Sequence, residues 1–382
     1  MTDKINVLHI NKLYYPWIGG VETHVRDLCE NLLSYDNILI HVLVCNEKKN
    51  AVDVIINKVK VKKLANLVDL FFDKTLLFSS PISLTFPFWL RKMPADILHF
   101  HLPNPLAMVA YFVSRPKGKI VVTWQSDIVK QKKMLYLLSP LIRWFLKRTD
   151  VIITASPNII DNSVFLKEFR QKCVVVPLGI NPEKYLLRKE DIAFIKEEQA
   201  KNTIPLILFV GRLVYYKGVE YLVEAMRQVD ARLIIIGEGY LYPEINKKII
   251  ANGLSNKITI IPPVTDYELA KYFHMCDVFV LPSVSPSEAF GIVQLEAMIC
   301  GKPVVSTNLP TGVPFVNQHN KTGIVVEPKD IDGLANALNI LINDKKLCYK
   351  YGSYAKQRVL DEFTNEVMAK KVYNIYQTLL EQ

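Results

Sequence analysis

Two glutamates stand eight positions apart around a short apolar turn in SEAFGIVQLEAM, residues 287–298. A turn that opens onto a helix usually offers backbone N–H groups to an anion, and nearby carboxylates would weaken phosphate binding there. Carboxylates bind vicinal hydroxyls well, because they accept hydrogen bonds from groups that donate them. We therefore predict that Glu288 and Glu296 bind hydroxyls, one those of a sugar and one those of a ribose. Taken singly, Glu288 is also compatible with a helix cap and Glu296 with a surface position.

A loop with two cations, GRLVYYKG at residues 211–218, follows the apolar run LILFVG. Its Arg212 and Lys217 suit the phosphates of a leaving nucleoside diphosphate, the guanidinium as a fork and the ammonium as a point charge. The glutamate stretch follows another β-rich run, VFVLP at 278–282, so both motifs are expected at one edge of a sheet. An ordinary solvated loop is the alternative. The backbone donors that would complete a diphosphate site belong to Ala289, Phe290, Gly291, Ile292 and Val293.

The elements that must position these motifs are βαβ units, because short β-rich runs alternate with helical patterns. In the first half the β-rich runs are residues 6–10, 38–45, 96–100, 119–124, 151–154 and 173–177. In the second half they are residues 206–211, 232–237, 258–262, 278–282 and 303–307.

This pattern predicts an α/β protein with two Rossmann-like, doubly wound domains that face each other across a cleft. The domains are predicted at 1–185 and 200–360, and the charged segment 188–202 is interpreted as part of a linker. A last helix within 361–382 is expected to pack back on the first domain. Ligands of such sheets bind beyond the carboxyl ends of the strands, so the substrate is expected in the cleft.

The composition limits the class of protein and its partners. A chain of 382 residues, half of them hydrophobic, is long enough for two globular domains. The net charge of +10 indicates an anionic partner, which could be nucleic acid, a phosphorylated substrate or an acidic membrane. The six cysteines form no CxxC pair, and we identify no histidine cluster at ligand spacing. We therefore predict reduced thiols in a cytoplasmic protein and no metal site.

The two motifs, together with YYPWIGGVETHV at residues 14–25, resemble the retaining GT-B glycosyltransferases of family four over essentially the whole chain. Three further stretches are similar to the bacterial mannosyl- and rhamnosyltransferases that build lipopolysaccharide O-antigen. These are HFHLPNP at 99–105, TWQSDIVKQKK at 123–133 and TNLPTGVPFVNQHNKTG at 307–323. The resemblance implies a GT-B fold and transfer of a hexose, with mannose from GDP-mannose expected as the donor and no other cofactor.

The resemblance also implies roles for single residues. In the family the first glutamate, here Glu288, contacts the donor sugar, and the second, Glu296, contacts the ribose. Gly19 and Gly20 fall in a loop that closes over the donor phosphate. Without the other motifs, a tight turn before a helix would be the preferred explanation. Base contacts are expected from the irregular segment 262–266, with Val264 as the donor-binding residue.

The sequence departs from the family where relatives commonly carry a histidine in T-x-H-[ST]-D, because this chain has Gln125 there. Glutamine can donate a hydrogen bond to a sugar hydroxyl but cannot titrate. We expect catalytic contributions from Gln125 and Asp127. On the acceptor side the candidate residues are Glu22, His101 and Lys130, although a lone histidine at the end of a strand is more often structural.

The basic stretch at residues 128–148 interleaves lysines and arginines with Leu, Trp and Phe, which is typical of a helix on an anionic membrane. A domain helix with a solvated basic face is the alternative. We favour a peripheral location at the inner face of the cytoplasmic membrane, with a polyprenyl diphosphate-linked glycan as acceptor and no nucleic acid partner. Two other functions stay open: a nucleotide-sugar epimerase of the same fold, and a donor-binding subunit that has lost catalysis.

Overall fold

The computed structural model describes residues 4–17, 19–66, 82–127, 132–201 and 204–381, apart from the side chains of 132–135 and 198–201. The chain divides into two compact units. The first unit consists of Met1–Ala155, Ile160–Leu178 and Asn365–Gln382, and the second of Ser156–Ile159 and Gly179–Thr364.

The sheet of the first unit has eight strands in the order β3-β4-β2-β1-β5-β6-β7-β8, all parallel except for the antiparallel pair β3 and β4. Parallel strands are covered by helices on both faces, so their sequences are nearly continuous apolar runs. The strands are β1 Ile5–Ile10, β2 Ile38–Cys45, β3 Val52–Ile56, β4 Val59–Leu64, β5 Ile97–Leu102, β6 Lys119–Trp124, β7 Val151–Thr154 and β8 Cys173–Val175.

The sheet of the second unit has six parallel strands in the order β11-β10-β9-β12-β13-β14. The strand order reverses between β9 and β12, which is where ligands of doubly wound sheets bind. The strands are β9 Leu206–Val210, β10 Arg232–Ile236, β11 Ile258–Ile261, β12 Val278–Leu281, β13 Val304–Thr307 and β14 Gly323–Val326.

Helices connect these strands. The first nine are α1 Gly20–Leu32, α2 Phe86–Lys92, α3 Pro105–Ser114, α4 Lys132–Arg148, α5 Pro157–Asn162, α6 Lys189–Lys201, α7 Val219–Ala225, α8 Tyr242–Ala251 and α9 Asp266–Met275. The others are α10 Val293–Ile299, α11 Val313–Val316, α12 Ile331–Asn343, α13 Lys345–Glu362 and α14 Asn365–Glu381. Short 3-10 helices span Leu166–Lys172, Pro182–Tyr185 and Met226–Gln228.

The last helix, α14, completes the core of the first unit. Met368, Val372 and Tyr376 are buried in the same apolar cluster as Val25 and Leu28 of α1. The chain therefore leaves the first unit, builds the second and returns with one helix.

The predicted fold class, two doubly wound α/β domains, is confirmed, but several elements were not predicted. β3 and β4 alternate apolar residues with charged or exposed ones, as in VKVKKL, so they lack the apolar run that identified the buried strands. The segment interpreted as a linker is the helix α6. Its Asp191 accepts from Lys271 of α9 at 2.6 Å and also from the Tyr267 hydroxyl, so α6 is anchored to the second unit.

Candidate active site

The loops that follow β9 and β12 are bound to each other at the carboxyl edge of the second sheet. The Val284 N–H donates to the Tyr216 carbonyl at 2.8 Å, and the hydroxyls of Tyr215 and Ser287 lie 2.9 Å apart. Gly218 has a φ of +65°, and a Cβ there would lie 2.1 Å from the Pro282 carbonyl oxygen. Only glycine permits this approach, and it brings the predicted cations and glutamates together.

A buried ion pair lies at the centre of this edge. Lys217 Nζ is 2.6 Å from Glu288 Oε2, and the side chains are only 10% and 12% exposed. The Ser283 hydroxyl donates to the same oxygen at 3.1 Å. Within the described part of the chain no group donates to Oε1 of Glu288, which leaves that oxygen able to accept from a sugar hydroxyl. A buried pair of this kind is costly to break, because either partner alone is an uncompensated charge.

Unpaired backbone donors flank the ion pair. Among the described residues, the N–H groups of residues 289–292 donate to no backbone or side-chain acceptor. Gly291 has a φ of +70°, which aligns this turn ahead of α10, and the Gly312 N–H fixes the turn by donating to the Ala289 carbonyl at 2.7 Å. Arg212 is exposed and donates to the Tyr216 hydroxyl at 2.9 Å. Free N–H groups beside two cations form an arrangement suited to a diphosphate.

Glu296 lies on α10, one turn beyond Ile292, and hydrogen-bonds the Tyr185 hydroxyl. Burial raises the pKa of its carboxyl to about 7, although the Tyr185 hydroxyl lowers it in part. Val264 is half-buried just before α9, which begins with Asp266, another residue that raises the pKa of Glu296. The carboxyl of Glu296 therefore changes charge near neutral pH.

In the first unit, Gly19 and Gly20 lie at the start of α1, as their turn interpretation required. Glu22 folds back over this helix start, because a Cβ on Gly19 would lie 2.3 Å from Glu22 Oε2. Burial raises the pKa of the Glu22 carboxyl, and Lys12 opposes the rise. The structure describes both glycines and Glu22, whereas Lys130 lies outside the described residues.

Gln125 and Asp127 follow β6 directly. Asp127 Oδ1 accepts from the Trp124 indole and from the Ser163 hydroxyl, both at 2.8 Å. Burial nevertheless raises the pKa of Asp127. The Gln125 N–H donates to the Leu102 carbonyl, and among the described residues no group accepts from its buried side-chain Nε2. A buried amide N–H without a partner can donate to the hydroxyl oxygen of a bound ligand.

A buried histidine cluster, His9, His99 and His101, corrects the expectation that the chain has no such cluster. Strand pairing explains it, because His9 is in register with His99 and His101 lies two residues along β5 on the same face. His9 and His101 are 92 residues apart in the sequence, which hides this contact. The ring nitrogens that could bind a metal lie within 4.8 Å of one another.

The cluster is engaged in hydrogen bonds of its own. His9 Nδ1 and His101 Nε2 are 3.1 Å apart, while His99 contacts the Tyr376 hydroxyl at 2.5 Å and Thr123 Oγ1 at 2.7 Å. The rings of His99 and His101 are stacked, so their in-plane nitrogens do not converge on one point. Burial lowers the pKa of every member, that of His9 to about 3.

Comparison with known proteins decides the family. Residues 18–184 match "Glycosyltransferase Family 4" and residues 191–358 match "Glycosyl transferases group 1". The chain is 32% identical to O-antigen chain mannosyltransferase C of Escherichia coli over 99% of both chains. It is 31% identical to D-rhamnosyltransferase WbpZ of Pseudomonas aeruginosa over 94% of this chain and 92% of that protein.

The chain belongs to the family-four glycosyltransferases. The predicted GT-B fold of the glycosyltransferase is confirmed by the crystal structure of Anabaena HepE in complex with UDP. That structure superposes with a TM-score of 0.77 at 18% identity and covers 98% of this chain and 100% of its own. Within the described residues of the glycosyltransferase, every helix is too short or too polar to cross a membrane.

Two short sequences of the glycosyltransferase resemble a dinucleotide-binding motif and a metal-binding motif, but both have structural roles. The GEG sequence after β10 resembles a dinucleotide fingerprint, but its glycines permit backbone contact, since a Cβ on Gly237 would lie 2.0 Å from the Gly211 carbonyl oxygen. The DxD sequence at 330–332 caps α12, because the Asp330 carboxylate accepts from the Gly333 N–H at 2.9 Å.

Three contacts of the glycosyltransferase site were missed from the sequence. Ser283 could have been found, because it lies two residues beyond β12 at the predicted edge. Tyr216, whose hydroxyl accepts from Arg212, lies in the loop at 211–218, where its residue type alone does not indicate a role. Tyr185, which binds Glu296 from more than a hundred residues away, carries no sequence signal.

Proposed function

We propose that this glycosyltransferase transfers mannose from GDP-mannose to a lipid-linked glycan in O-antigen synthesis, with retention of anomeric configuration. The names of the two full-length relatives support a hexose donor and the O-antigen, since one is a mannosyltransferase and the other a D-rhamnosyltransferase. The acceptor is proposed to be a polyprenyl diphosphate-linked glycan, which places the enzyme at the inner face of the cytoplasmic membrane.

The observation that carries the proposal is the buried Lys217–Glu288 pair beside the unpaired N–H groups of 289–292. The departing diphosphate gains negative charge, and Lys217, Arg212 and the backbone donors are preorganised to stabilise it. These donors supply the electrostatic work that a metal performs elsewhere, so we propose transfer without a metal cofactor.

Glu288 and Glu296 bind the two parts of the donor that carry hydroxyls, the transferred sugar and the ribose. Glu288 Oε1 accepts from a hydroxyl of the transferred sugar, while Lys217 and Ser283 hold the other oxygen in place. Glu296 accepts from the ribose. The bond between the anomeric carbon and the phosphate oxygen breaks as the acceptor hydroxyl oxygen attacks from the same face. The proton of that hydroxyl passes to the departing phosphate oxygen.

Purified protein incubated with a panel of GDP- and UDP-sugars and a lipid-linked acceptor tests the proposal. We expect transfer from GDP-mannose, an α-linked product by NMR, and the same rate with a chelator present. Loss of activity with the chelator and its return with a divalent cation would contradict the metal-free step. A β-linked product would contradict retention.

Two outcomes of the same assay would replace the proposal. Conversion of GDP-mannose into another nucleotide sugar by the protein alone would indicate an epimerase. Tight donor binding without transfer to any acceptor would indicate a donor-binding subunit, which is the function that Gln125 in place of a histidine keeps open. The matched control is Lys247→Gln, on the exposed face of α8, which should behave as wild type.

A further inference from the structure

The hairpin of β3 and β4 lies at one end of the first sheet, beyond β2, and one of its faces is open. On that face Asp53 and Ile55 of β3 lie opposite Lys62 and Lys60 of β4. Lys60 in turn lies opposite His41 of β2. Strands of α/β sheets are normally covered on both faces, yet Ile55 is 73% exposed. An apolar side chain and two lysines therefore share an uncovered part of the sheet.

A cavity of about 390 Å³ lies over this face, and we call it the β3–β4 cavity. Small-molecule sites in proteins have volumes of roughly 300–1,000 Å³, with apolar walls and a few polar groups. The cavity therefore has the size of such a site. Its lining includes His41, Asp53, Ile55, Lys60, Lys62 and Met93, the residue that follows α2.

The β3–β4 cavity is remote from the edge at which doubly wound sheets bind their ligands. His41 precedes Cys45, the last residue of β2, by four positions, and four residues of a strand span about 13 Å. His41 is in register with Leu8, so it lies on the opposite face of the sheet from His9. The cavity is therefore separate from the histidine cluster and from the carboxyl edge of this sheet.

Cations outnumber carboxylates around the cavity. Lys62 Nζ pairs with Asp53 at 2.7 Å and lies 3.8 Å from the centroid of a Trp89 ring. Lys92 Nζ lies 4.9 Å from a Trp89 ring centroid as well. Among the residues that the structure describes, neither Lys60 nor Lys92 forms an ion pair. One carboxylate therefore faces three ammonium groups, and it already pairs with one of them.

The rest of the lining is neutral or apolar. Burial and the Lys60 ammonium lower the pKa of His41, so its imidazole is neutral at pH 7 and offers one N–H donor. Ile55 and Met93 supply apolar surface. The stems of the lysines add to this surface while their ammonium groups stay in water. A ligand that matches the cavity therefore has an apolar body and an anionic group.

We propose that the β3–β4 cavity binds a small amphiphilic anion, a free compound with an apolar body and one sulfonate, phosphate or carboxylate group. The apolar body lies against Ile55 and Met93, and the anionic group meets Lys60 and Lys92. The ammonium groups repel a cationic ligand, and an uncharged ligand gains nothing from their charge. The inference goes beyond the proposed function and does not depend on it, since none of the residues proposed to bind donor or acceptor lines the cavity.

Two probes with the same apolar skeleton test the proposal. Anilinonaphthalenesulfonate carries an anionic group, and phenylnaphthylamine has the same rings without it. We expect saturable binding of the sulfonate, followed by its fluorescence. Its Kd should be about tenfold lower than that of the uncharged probe, because a hydrogen bond to a charged group contributes about that factor. Saturating GDP should not displace the sulfonate, because GDP is expected at the edge of the other sheet.

The methyl resonance of Met93 locates the bound probe. In protein with isotope-labelled methionine methyl groups, the variant Met93→Leu identifies this resonance. It should shift as the sulfonate is added, because an aromatic ring then lies beside the methyl group. The shift should be half complete at the Kd measured by fluorescence.

Two variants separate the charged and apolar contacts. Lys60→Gln with Lys92→Gln should raise the Kd of the sulfonate about tenfold and leave that of the uncharged probe unchanged. Ile55→Glu should weaken the binding of both probes. The matched control, Lys247→Gln with Ile250→Glu on the exposed face of α8, should bind both as the wild type does. Exposed substitutions of this kind should leave the thermal unfolding midpoint nearly unchanged, which separates lost binding from lost folding.

Four results would overturn the inference. The two probes could bind with equal Kd, or the Met93 resonance could stay in place at saturating sulfonate. The cavity variants could bind the sulfonate as the control does. Displacement of the sulfonate by GDP would assign its binding to the donor edge instead. Because none of these measurements involves transfer of a sugar, they decide the cavity independently of the proposed function.

Discussion

The carboxyl edges of the two sheets differ in charge, although both sheets are doubly wound and almost wholly parallel. In the second unit the edge holds the buried Lys217–Glu288 pair and the exposed Arg212. In the first unit the histidines beneath the edge are kept neutral, because burial lowers the pKa of each. Topology therefore decides where polar residues gather, whereas burial and partners decide whether they carry charge. A charged edge suits an anionic leaving group, and a neutral one suits hydroxyls.

The ion pair gives the sharpest test of this difference. Lys217→Gln should lower kcat/KM for the donor about a thousandfold, a loss of about 4 kcal/mol, because it removes a preorganised cation from the leaving diphosphate. Steady-state kinetics with GDP-mannose measures the loss. Since Glu288 is then buried without its cation, thermal unfolding should occur at a lower temperature.

The double variant Lys217→Gln with Glu288→Gln separates the two effects. It should recover much of the stability, because no charge is left unpaired, but none of the activity. If activity returned together with stability, Lys217 would be a folding residue and the second edge would not be the charged catalytic one.

Replacing Glu288 and Glu296 one at a time by alanine distinguishes the roles of these two residues at the charged edge. Glu288→Ala should lower kcat about a hundredfold, because its hydrogen bond to the sugar strengthens as positive charge develops there. Glu296→Ala should mainly raise the donor KM, at a cost of about 1.5–3 kcal/mol for a charged hydrogen bond. Equal, near-wild-type constants for both, with circular dichroism unchanged, would show that neither residue touches the donor.

Acid should lower the free energy of unfolding through the buried, neutral histidines of the first unit. Because burial lowers the pKa of His9 to about 3 and that of His24 to about 4, the unfolded chain binds protons that the folded chain does not. Their stabilisation is complete above the unfolded pKa of about 6.5 and is lost as the pH falls below it. Between pH 7.5 and 5 the free energy of unfolding should fall by about 2 kcal/mol per buried histidine.

Urea unfolding across this pH range measures the slope. The raised pKa values of Glu22, Asp127 and Glu296 act in the opposite direction, and that of Glu296, about 7, does so within this pH range, so the slope is measured in a Glu296→Gln background. A free energy of unfolding that stays constant across this range would mean that the histidines are hydrated or charged in the native protein.

In the second unit, the titration of Glu296 should make donor binding depend on pH. Its carboxyl has a pKa of about 7 without ligand, and only the carboxylate accepts from two ribose hydroxyls. Donor affinity should therefore rise about tenfold between pH 6 and pH 8. Isothermal titration with GDP over this range is the measurement, and Glu296→Gln should remove the dependence. A parallel rise in the variant would assign the effect to another group.

The smallest expected effect concerns the return helix. Tyr376→Phe deletes the hydroxyl that contacts His99 and should lower the free energy of unfolding by about 1–2 kcal/mol. Activity per folded molecule should not change, because this contact lies in the core of the first unit. Tyr349→Phe, whose side chain is exposed on α13, is the control and should have almost no effect. Equal free energies of unfolding for the two variants would show that the contact between Tyr376 and His99 does not stabilise the protein.

The sequence determined the strands that build both edges, because a strand buried on two faces must be an apolar run. Residues 38–45, 119–124 and 151–154 agree with β2, β6 and β7 to the residue. It also determined that Arg212, Lys217 and Glu288 share an edge, since loops after neighbouring parallel strands open on the same side.

Only the tertiary structure decided which of these groups are paired and charged. The Lys217–Glu288 bond needs the close approach at Gly218, the histidine cluster needs the register of β1 with β5, and the pKa of Glu296 needs Tyr185 from a distant 3-10 helix. Each depends on distances of a few ångströms between segments far apart in the chain. Local propensity reports on neighbours in sequence, whereas the charge of a buried group is set by its neighbours in space.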